Sequence, residues 1–301
     1  MVRVRGVFLG VLALLATIAT VKAAEPGSTE LKIGLPGPMF KDVPKAMVNA
    51  AATPFQNMIQ DKSGLKGSVK VLPDYKSLAD EIVAGRIDIG VFHGFEYAWV
   101  KDMPDLVPLV VTVPNCGKVQ ACLVVHADSK VTDAKDLKGA CVLVPKMTKA
   151  HCHMYLERLR DTLPAGDCCP AKSGGLTPHE TLIEVANERA DAALVDISAL
   201  LSLQREVPAA YKQLRVLKQS EPLPSAVVVY RKGALDAKTI DKIRNGLIDC
   251  VNSPMGKLFA MFWQLKGFEN VTPEYHAQVA NSLKAYPAPV QPVVPEQLPK
   301  K

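Results

Sequence analysis

The sequence predicts a two-lobed α/β protein, and two features of the chain point to this architecture. Apolar strand patterns alternate with helical patterns, which is typical of a mostly parallel sheet with helices on its faces. The alternation then occurs a second time, ahead of a helical C-terminal part. Once an N-terminal leader and a proline-rich C-terminal tail are set aside, roughly 260 residues remain to fold, which is enough for two lobes with their own cores.

Residues 1–23 have the three regions of a cleavable export signal. Arg3 and Arg5 precede an apolar stretch over residues 6–20, and Ala23 offers the small residue that signal peptidase requires. The stretch is shorter than the ~20 apolar residues of a membrane helix. We therefore predict a signal peptide over residues 1–23, export to the periplasm, and a mature protein that does not span the membrane. The alternative is an uncleaved anchor.

The charge of the chain excludes one class of partner. Removal of residues 1–23 takes away three basic residues and no acidic one, so the formal net charge falls from +6 to +3. This small positive charge is not the clustered basic surface that nucleic-acid binding needs. The sequence therefore predicts that the protein binds no nucleic acid.

The chain also lacks the Gly-x-Ser-x-Gly, phosphate-loop and His-Glu-x-x-His motifs of common enzyme classes. The sequence therefore predicts that the protein is not an enzyme and uses no cofactor.

The first set of alternating elements has three strands and two helices. The strands are predicted at residues 31–35, 69–72 and 87–92. One intervening helix is capped by Asp42 and runs to about residue 62. The other begins near Ser77, and Gly85 ends it.

The second set lies between two predicted crossings of the chain from lobe to lobe, near 114–117 and 220–224. Its strands are predicted at 118–125, 140–144, 190–195 and 214–218, and its helices at 151–162 and 178–189. A strand at 226–230 and helices at 236–251, 254–266 and 273–285 complete the fold. The predicted boundaries are therefore 24–117 and 220–285 for the first lobe and 118–219 for the second. Residues 286–301 contain five prolines and are predicted to be a solvated, disordered tail.

Six short segments, in their order along the chain, carry a resemblance to a known family. They are Leu-Lys-Ile-Gly at 31–34, Leu-Pro-Asp-Tyr-Lys-Ser-Leu at 72–78, Gly-Arg-Ile-Asp-Ile-Gly at 85–90, Leu-Lys-Gly at 137–139, Asn-Glu-Arg-Ala-Asp-Ala-Ala-Leu-Val-Asp at 187–196 and Pro-Leu-Pro at 222–224. Together they resemble the phosphonate/phosphite/phosphate periplasmic binding proteins of ABC transporters, over most of residues 31–270. The resemblance implies the type II periplasmic-binding-protein fold, with a ligand cleft between the lobes. It also implies an extracytoplasmic receptor that delivers a small oxyanion of this type, or a related ligand, to a membrane permease.

The resemblance places ligand-binding residues in both lobes. Tyr75 stands where these receptors have an aromatic after an aspartate, and Tyr97 lies in the segment after the third strand. His179 matches a histidine that begins a second-lobe helix, and Asp196 matches the acid after that lobe's strand. The resemblance therefore implies that these four residues contact the ligand.

Two stretches depart from the family pattern. The hydroxyl-rich turn that binds the anion is replaced by residues 146–151, where only Thr148 keeps a hydroxyl, and Lys146 and Lys149 add charges. The Gly-Pro pair after the third strand is replaced by a segment that contains His93 and Glu96. We include Thr148, Lys149 and His93 among the ligand-binding residues. The departures predict weaker binding of simple phosphonates than in the relatives, and a ligand that is less charged, larger or accompanied by a cation.

A run of soft metal ligands supports an alternative function. Met147, His151, Cys152, His153 and Met154 provide thioether, imidazole and thiol groups, which suit copper or zinc. The alternative is therefore a periplasmic metal-handling or redox accessory protein, with His151, Cys152 and His153 as ligands. Against it, the spacing matches no standard closed zinc site, and we favour a helix start with packed Met and Cys and surface His.

Seven cysteines in an exported chain leave at least one without an intramolecular disulfide. We expect a structural disulfide that involves Cys168 or Cys169, with Cys152 or Cys116 as the partner, and the sequence does not assign the pairing.

Overall fold

The computed structural model describes residues 30–40, 53, 56–57, 59–60, 64–137, 139–146, 148–160 and 175–289. The predicted signal peptide, most of the helix predicted from Asp42, and Met147, Cys168 and Cys169 lie outside these residues.

Ten strands lie within the described residues. They are β1 (Glu30–Pro36), β2 (Lys66–Leu72), β3 (Ile89–Phe92), β4 (Leu106–Pro114), β5 (Ala121–His126), β6 (Val142–Leu143), β7 (Ala192–Asp196), β8 (Leu214–Gln219), β9 (Val227–Arg231) and β10 (Leu265–Asn270).

Nine α-helices accompany them in the same part of the chain. They are α1 (Tyr75–Val83), α2 (Gly94–Val100), α3 (Ala150–Arg160), α4 (Pro178–Ala186), α5 (Ile197–Glu206), α6 (Pro208–Lys212), α7 (Ala237–Ile248), α8 (Pro254–Phe262) and α9 (Pro273–Ala285). No helix among the described residues is long and apolar enough to cross a bilayer.

The strands form two sheets, as the alternating pattern predicts. One sheet has six strands in the order β10–β4–β9–β3–β1–β2, and the other has four in the order β6–β7–β5–β8. Helices pack against both, and each sheet has its own buried apolar clusters. The α/β class is therefore confirmed.

The prediction of mostly parallel sheets is wrong. Strand β1 pairs in parallel with β2 and β3, and β6 with β7, but the other five pairings are antiparallel. The connections between the sheets explain two of the antiparallel pairings. β4 leads out of the first sheet and β9 leads back in beside it, so the two neighbours must run in opposite directions. β5 and β8 have the same relationship in the second sheet.

Two connections between the sheets, at residues 115–120 and 220–226, run side by side. The Leu223 amide donates to the Val119 carbonyl at 2.9 Å, and the Ser220 amide donates to the Ala121 carbonyl at 2.9 Å. The buried side chain of Gln120 donates to the Ser220 carbonyl at 2.8 Å. The strands of the second sheet all lie between residues 121 and 219, and the lobe boundaries given above stay a prediction.

Several helix boundaries differ from the predicted ones, and the structure gives the physical reason for two of them. Helix α1 begins at Tyr75 rather than near Ser77, because the Asp74 carboxylate caps it by accepting the Ser77 amide at 2.7 Å. The helix predicted over 254–266 ends at Phe262. Gln264 then adopts a φ of 55°, a left-handed conformation that a helix cannot continue through.

The predicted solvated tail is wrong at its first residue. Tyr286 is only 4% exposed and packs in the core of the second sheet with Tyr155 and Leu223. Residues 290–301 lie outside the described part of the chain.

Candidate functional site

Asp196 lies where a buried strand meets a helix. All five residues of β7 are buried, and Asp196 ends the strand and caps α5. One of its carboxylate oxygens, Oδ1, accepts the Ser198 amide at 2.9 Å and also accepts the Ser198 hydroxyl. The local pattern of an apolar strand followed by Asp-Ile-Ser therefore fixes a carboxylate at the end of the strand.

Two basic side chains surround this carboxylate. The Nζ atom of Lys149 lies 3.0 Å from Asp196 Oδ1, and the Nε2 atom of His151 lies 2.8 Å from Oδ2. Burial alone would raise the pKa of the Asp196 carboxyl, but His151, Lys149 and Ser198 outweigh burial and hold that pKa well below its usual range. Asp196 therefore stays ionised and its charge is compensated within the cluster.

Lys149 also contacts the first lobe. Its Nζ atom lies 3.1 Å from Ser198 Oγ and 3.4 Å from Oε1 of Gln264, the residue that precedes β10. The Gln264 carbonyl accepts the amide of Asn115, at the beginning of the first crossing. Because 47% of its side chain is exposed, the Lys149 ammonium is a cation open to solvent between the two lobes.

The Thr148 hydroxyl is occupied within its own turn, where it donates to the Pro145 carbonyl. A hydroxyl has one proton to donate and two lone pairs to accept with. Thr148 can therefore donate to a ligand oxygen only if it releases Pro145.

His93 lies at the first-lobe side of the crossings and precedes α2. A Cβ atom on the next residue, Gly94, would lie 2.2 Å from the Pro224 carbonyl oxygen, so only glycine allows this close approach. The buried Glu96 carboxylate accepts the His93 amide at 3.3 Å and lies 2.9 Å from His93 Nδ1. Glu96 is thus held by His93 instead of pointing freely into a cleft.

Tyr75 and His93 stand at the two ends of an aromatic row. The His93 ring stacks on Phe95 with centroids 5.3 Å apart, Phe95 meets Trp99 edge-on at 5.2 Å, and Trp99 lies 4.9 Å from Tyr75. Burial, Asp74 and Glu96 raise the pKa of Tyr75. The structure therefore brings these two residues together through Phe95 and Trp99.

Two residues of the predicted set lie apart from these groups. Tyr97 is 4% exposed within the first-lobe core, and burial raises the pKa of its phenol. His179, on α4, lies 3.6 Å from Glu206, the last residue of α5. Asp196 caps the opposite end of that ten-residue helix, so about 15 Å of helix separates Glu206 from Asp196.

The metal-binding interpretation has no support from the geometry. His151 faces Asp196, whereas Cys152 is fully buried among apolar side chains of the second lobe. Burial raises the pKa of the Cys152 thiol well above its usual range, and a metal ligand must be the thiolate. His153 is half-buried on α3. Across the part of the chain that the structure describes, no three His, Cys, Asp or Glu side chains cluster around a possible ion position.

The structure does not contain the disulfides to Cys116 or Cys152 that were expected from the sequence. Both residues are free thiols in the structure.

Comparison with known proteins decides the family. Residues 40–275 match the family described as "ABC transporter, phosphonate, periplasmic substrate-binding protein". The chain belongs to this family. The sequence resemblance is thereby confirmed.

Relatives of the family share little sequence with this chain. The phosphonates-binding periplasmic protein of Escherichia coli is 25% identical over 223 residues, which cover 68% of this chain. The chain spans 62% of the length of that relative.

Solved structures share the fold. A protein from Xanthomonas citri bound to ATP is 16% identical, with a TM-score of 0.61 over 86% of this chain and 98% of the other. A Prochlorococcus marinus protein in complex with methylphosphonate is 10% identical, with a TM-score of 0.57 over 86% and 98%. A binding component of a Pseudomonas aeruginosa phosphonate transporter is 15% identical, with a TM-score of 0.54 over 84% and 85%. These similarities confirm the type II periplasmic-binding-protein fold.

Sequence reasoning missed three residues that the structure places among the predicted ones. Ser198 follows Asp196 at the spacing of a helix cap, so this signal was present in the sequence. Trp99 and Gln264 carry no local signal, because their contacts with Tyr75 and Lys149 arise only from the tertiary fold.

Proposed function

We propose that this family member is an extracytoplasmic solute-binding receptor for a small oxyanion of the phosphonate, phosphite or phosphate type. Its lobes, 24–117 with 220–285 and 118–219, would close on the ligand about the paired crossings. The family supports this function, and so does the relative from Prochlorococcus marinus, whose structure contains methylphosphonate.

The Lys149 ammonium is the observation that carries the proposal. It is a half-exposed cation that already contacts both lobes, through Asp196 and Gln264. An oxyanion that takes the place of the Gln264 oxygen receives a charge-assisted hydrogen bond, which is shorter and stronger than one from a neutral donor. Anion binding at Lys149 then exchanges a weak contact of 3.4 Å for a strong one.

The proposed contacts with the ligand come from Lys149 and Thr148 in the second lobe and from Tyr75 and His93 in the first. Asp196 is a positioning residue, since both of its oxygens are occupied by protein groups. We leave Tyr97 and His179 out of the proposed contacts, because one is buried in the core and the other pairs at the far end of α5.

The proposed affinity for simple phosphonates is modest. A buried tetrahedral anion needs nearly every oxygen paired, and each unpaired polar group costs about 1–3 kcal/mol. The turn of this chain offers one hydroxyl, and that hydroxyl is bonded to Pro145 in the ligand-free protein. Ligand binding at this hydroxyl must first break its hydrogen bond to the Pro145 carbonyl, which lowers the net binding free energy.

The proposal includes export and a membrane partner, and no catalysis. Cleavage after Ala23 would release the receptor into the periplasm, and closure would present both lobes to the permease of an ABC transporter. The family comprises substrate-binding components, which supports binding and release as the whole activity.

Thermal unfolding of the mature protein with phosphate, phosphite and methylphosphonate tests the function. A ligand present at 100 times its dissociation constant stabilises the folded state by about 2.7 kcal/mol. We expect stabilisation by at least one anion in the presence of a chelator, and none by chloride at equal ionic strength. No stabilisation by any of the three anions would reject the proposal.

A further inference from the structure

Tyr286 joins the C-terminal helix of the first lobe to the core of the second lobe. Helix α9 packs on α2, and its Tyr275 and Val279 belong to the first-lobe core. The next residue after α9 is Tyr286, whose ring lies in the second-lobe core with Tyr155 and Leu223. The chain therefore passes between the lobes here as well, beside the second crossing.

Polar contacts hold the Tyr286 ring on the second-lobe side. Its hydroxyl donates to Glu221 Oε2 at 2.8 Å. Arg158, from α3, contacts both oxygens of the same carboxylate at 3.2 and 3.1 Å, and its guanidinium carbon lies 5.0 Å from the centre of the Tyr286 ring. Tyr286 thus packs against a charged pair that joins a second-lobe helix to the second crossing.

The backbone of Tyr286 is held by the first lobe. Its carbonyl accepts the indole N–H of Trp99 at 2.8 Å. Trp99 belongs to α2, and its ring contacts Phe95 at 5.2 Å and Tyr75 at 4.9 Å. One residue therefore connects the second-lobe core to the aromatic row at the first-lobe side of the proposed cleft.

We propose that Tyr286 is the pivot of a third connection between the lobes, and that through Trp99 it positions Tyr75 for ligand binding. Tyr286 is a positioning residue here, because its ring is buried and its hydroxyl and carbonyl are both bonded to protein. The role assigned to Tyr75 rests on the proposed function, whereas the connection between the lobes is independent of any ligand.

The third connection limits how the lobes move. If the lobes were joined by the two adjacent crossings alone, one lobe could rotate relative to the other about these crossings. A residue anchored on α3 as well as on the second crossing, through Tyr155 and Arg158, removes part of that freedom, so the separation of the lobes in the ligand-free protein is restricted. Loss of the anchor therefore gives a wider range of separations and a less well positioned Tyr75.

Four variants of the mature full chain test this proposal. Tyr286→Ala removes the anchor, and Tyr286→Phe removes only the bond to Glu221. Trp99→Phe removes the bond to the Tyr286 carbonyl and keeps an aromatic ring beside Tyr75. Tyr275→Phe is the matched control, since its hydroxyl is also on α9 and donates to the Ser225 carbonyl at 3.0 Å, but its ring lies in the first-lobe core.

Small-angle X-ray scattering of the ligand-free proteins measures the separation of the lobes, and calorimetry measures methylphosphonate affinity. We expect a larger radius of gyration for Tyr286→Ala, a smaller increase for Tyr286→Phe and Trp99→Phe, and none for Tyr275→Phe. We expect Tyr286→Ala and Trp99→Phe to weaken binding about tenfold, which corresponds to about 1.4 kcal/mol.

The outcomes separate the two proposals. Unchanged scattering of Tyr286→Ala, or an equal change in Tyr275→Phe, overturns the third connection. If Tyr286→Ala does not fold, unchanged scattering of both Tyr286→Phe and Trp99→Phe overturns it. A wider ligand-free form whose methylphosphonate affinity is unchanged overturns the positioning of Tyr75. If the parent protein binds only phosphite or phosphate, that anion replaces methylphosphonate in the affinity comparison. Absence of binding of all three anions contradicts the proposed ligand class and the assigned role of Tyr75, but leaves the scattering comparison valid.

Discussion

The ammonium of Lys149 lies 3.0 Å from the carboxylate of Asp196, and the two residues differ in their access to solvent. Asp196 is 8% exposed, whereas 47% of the Lys149 side chain is exposed. The Asp196 carboxylate therefore holds the Lys149 ammonium in place, while the ammonium remains accessible to a ligand. This division of roles leads to separate predictions for the two residues.

Replacement Asp196→Asn removes the charge and keeps a good helix cap, because asparagine caps as well as aspartate. We expect the free energy of unfolding at pH 7 to fall by about 1–3 kcal/mol, since Lys149 loses its counter-charge and His151 loses the carboxylate beside its Nε2 atom. Urea unfolding measures this difference, and Asp196→Ala shows the further loss of the cap. Equal stability of parent and Asp196→Asn at pH 7 would show that the charge contributes nothing.

The same pair of proteins has a predicted pH dependence. The folded-state pKa of Asp196 is depressed, so its stabilising contribution is present above the ordinary carboxyl pKa of about 4 and is lost as the pH falls below it. The stability gap between parent and Asp196→Asn is therefore expected to narrow in acid. A gap that stays constant from pH 7 down to pH 2 contradicts the ionic origin of the contribution.

Lys149→Met is expected to weaken oxyanion binding by at least about tenfold, because it removes the proposed charged donor. The matched control is Lys146→Met, which removes the same charge from an exposed position three residues earlier. Thr148→Val is expected to weaken binding less and to lower stability by about 1 kcal/mol, since its hydroxyl donates to Pro145 in the ligand-free protein. Equal effects of Lys149→Met and Lys146→Met would contradict a direct contact.

Alkylation of the native protein by iodoacetamide is expected to modify Cys116 before Cys152. Cys116 is half-buried and next to an exposed glycine, whereas Cys152 is fully buried and burial raises the pKa of its thiol. Mass spectrometry of peptides from a timed reaction gives both rates. Comparable rates in the folded protein, or recovery of Cys152 in a disulfide, would contradict the buried free thiol.

Export predicts a defined N-terminus. Protein recovered from the periplasm of the native host is expected to begin at or near Ala24, because Ala23 is the last residue of the predicted signal. N-terminal sequencing and intact mass determine this directly. A chain that retains the apolar stretch over residues 6–20 would contradict cleavage.

The fold was predictable because most elements have a clear hydrophobic periodicity. Strands β4 and β10 were not predicted, and their sequences show why. Strand β4 contains Pro108 and ends at Pro114, and proline within a run argues against a strand. The structure accommodates Pro108 at a shift in register against β9. Strand β10 is short, mostly polar and irregular at Gly267, so it was indistinguishable from the end of a helix.

The site was predictable only in part. Residues close in sequence, such as Thr148, Lys149 and the cap at Asp196, follow from local patterns of turns and helix starts. The contacts of Gln264 with Lys149 and of Tyr286 with Trp99 do not follow from local patterns. Each joins residues that are far apart in the sequence. The composition of the segment after α9 hid the burial of Tyr286, because the five prolines that follow this residue indicate a solvated tail.

Calorimetric titration of the mature, chelator-treated protein with methylphosphonate, phosphite and phosphate tests the central claim most directly. We predict saturable binding of at least one of these anions, with one anion per chain and a dissociation constant above about 1 μM. The Lys149→Met variant is predicted to bind the same anion at least about tenfold more weakly. Absence of binding by all three anions, or equal binding by parent and Lys149→Met, would contradict a receptor that holds its oxyanion at Lys149.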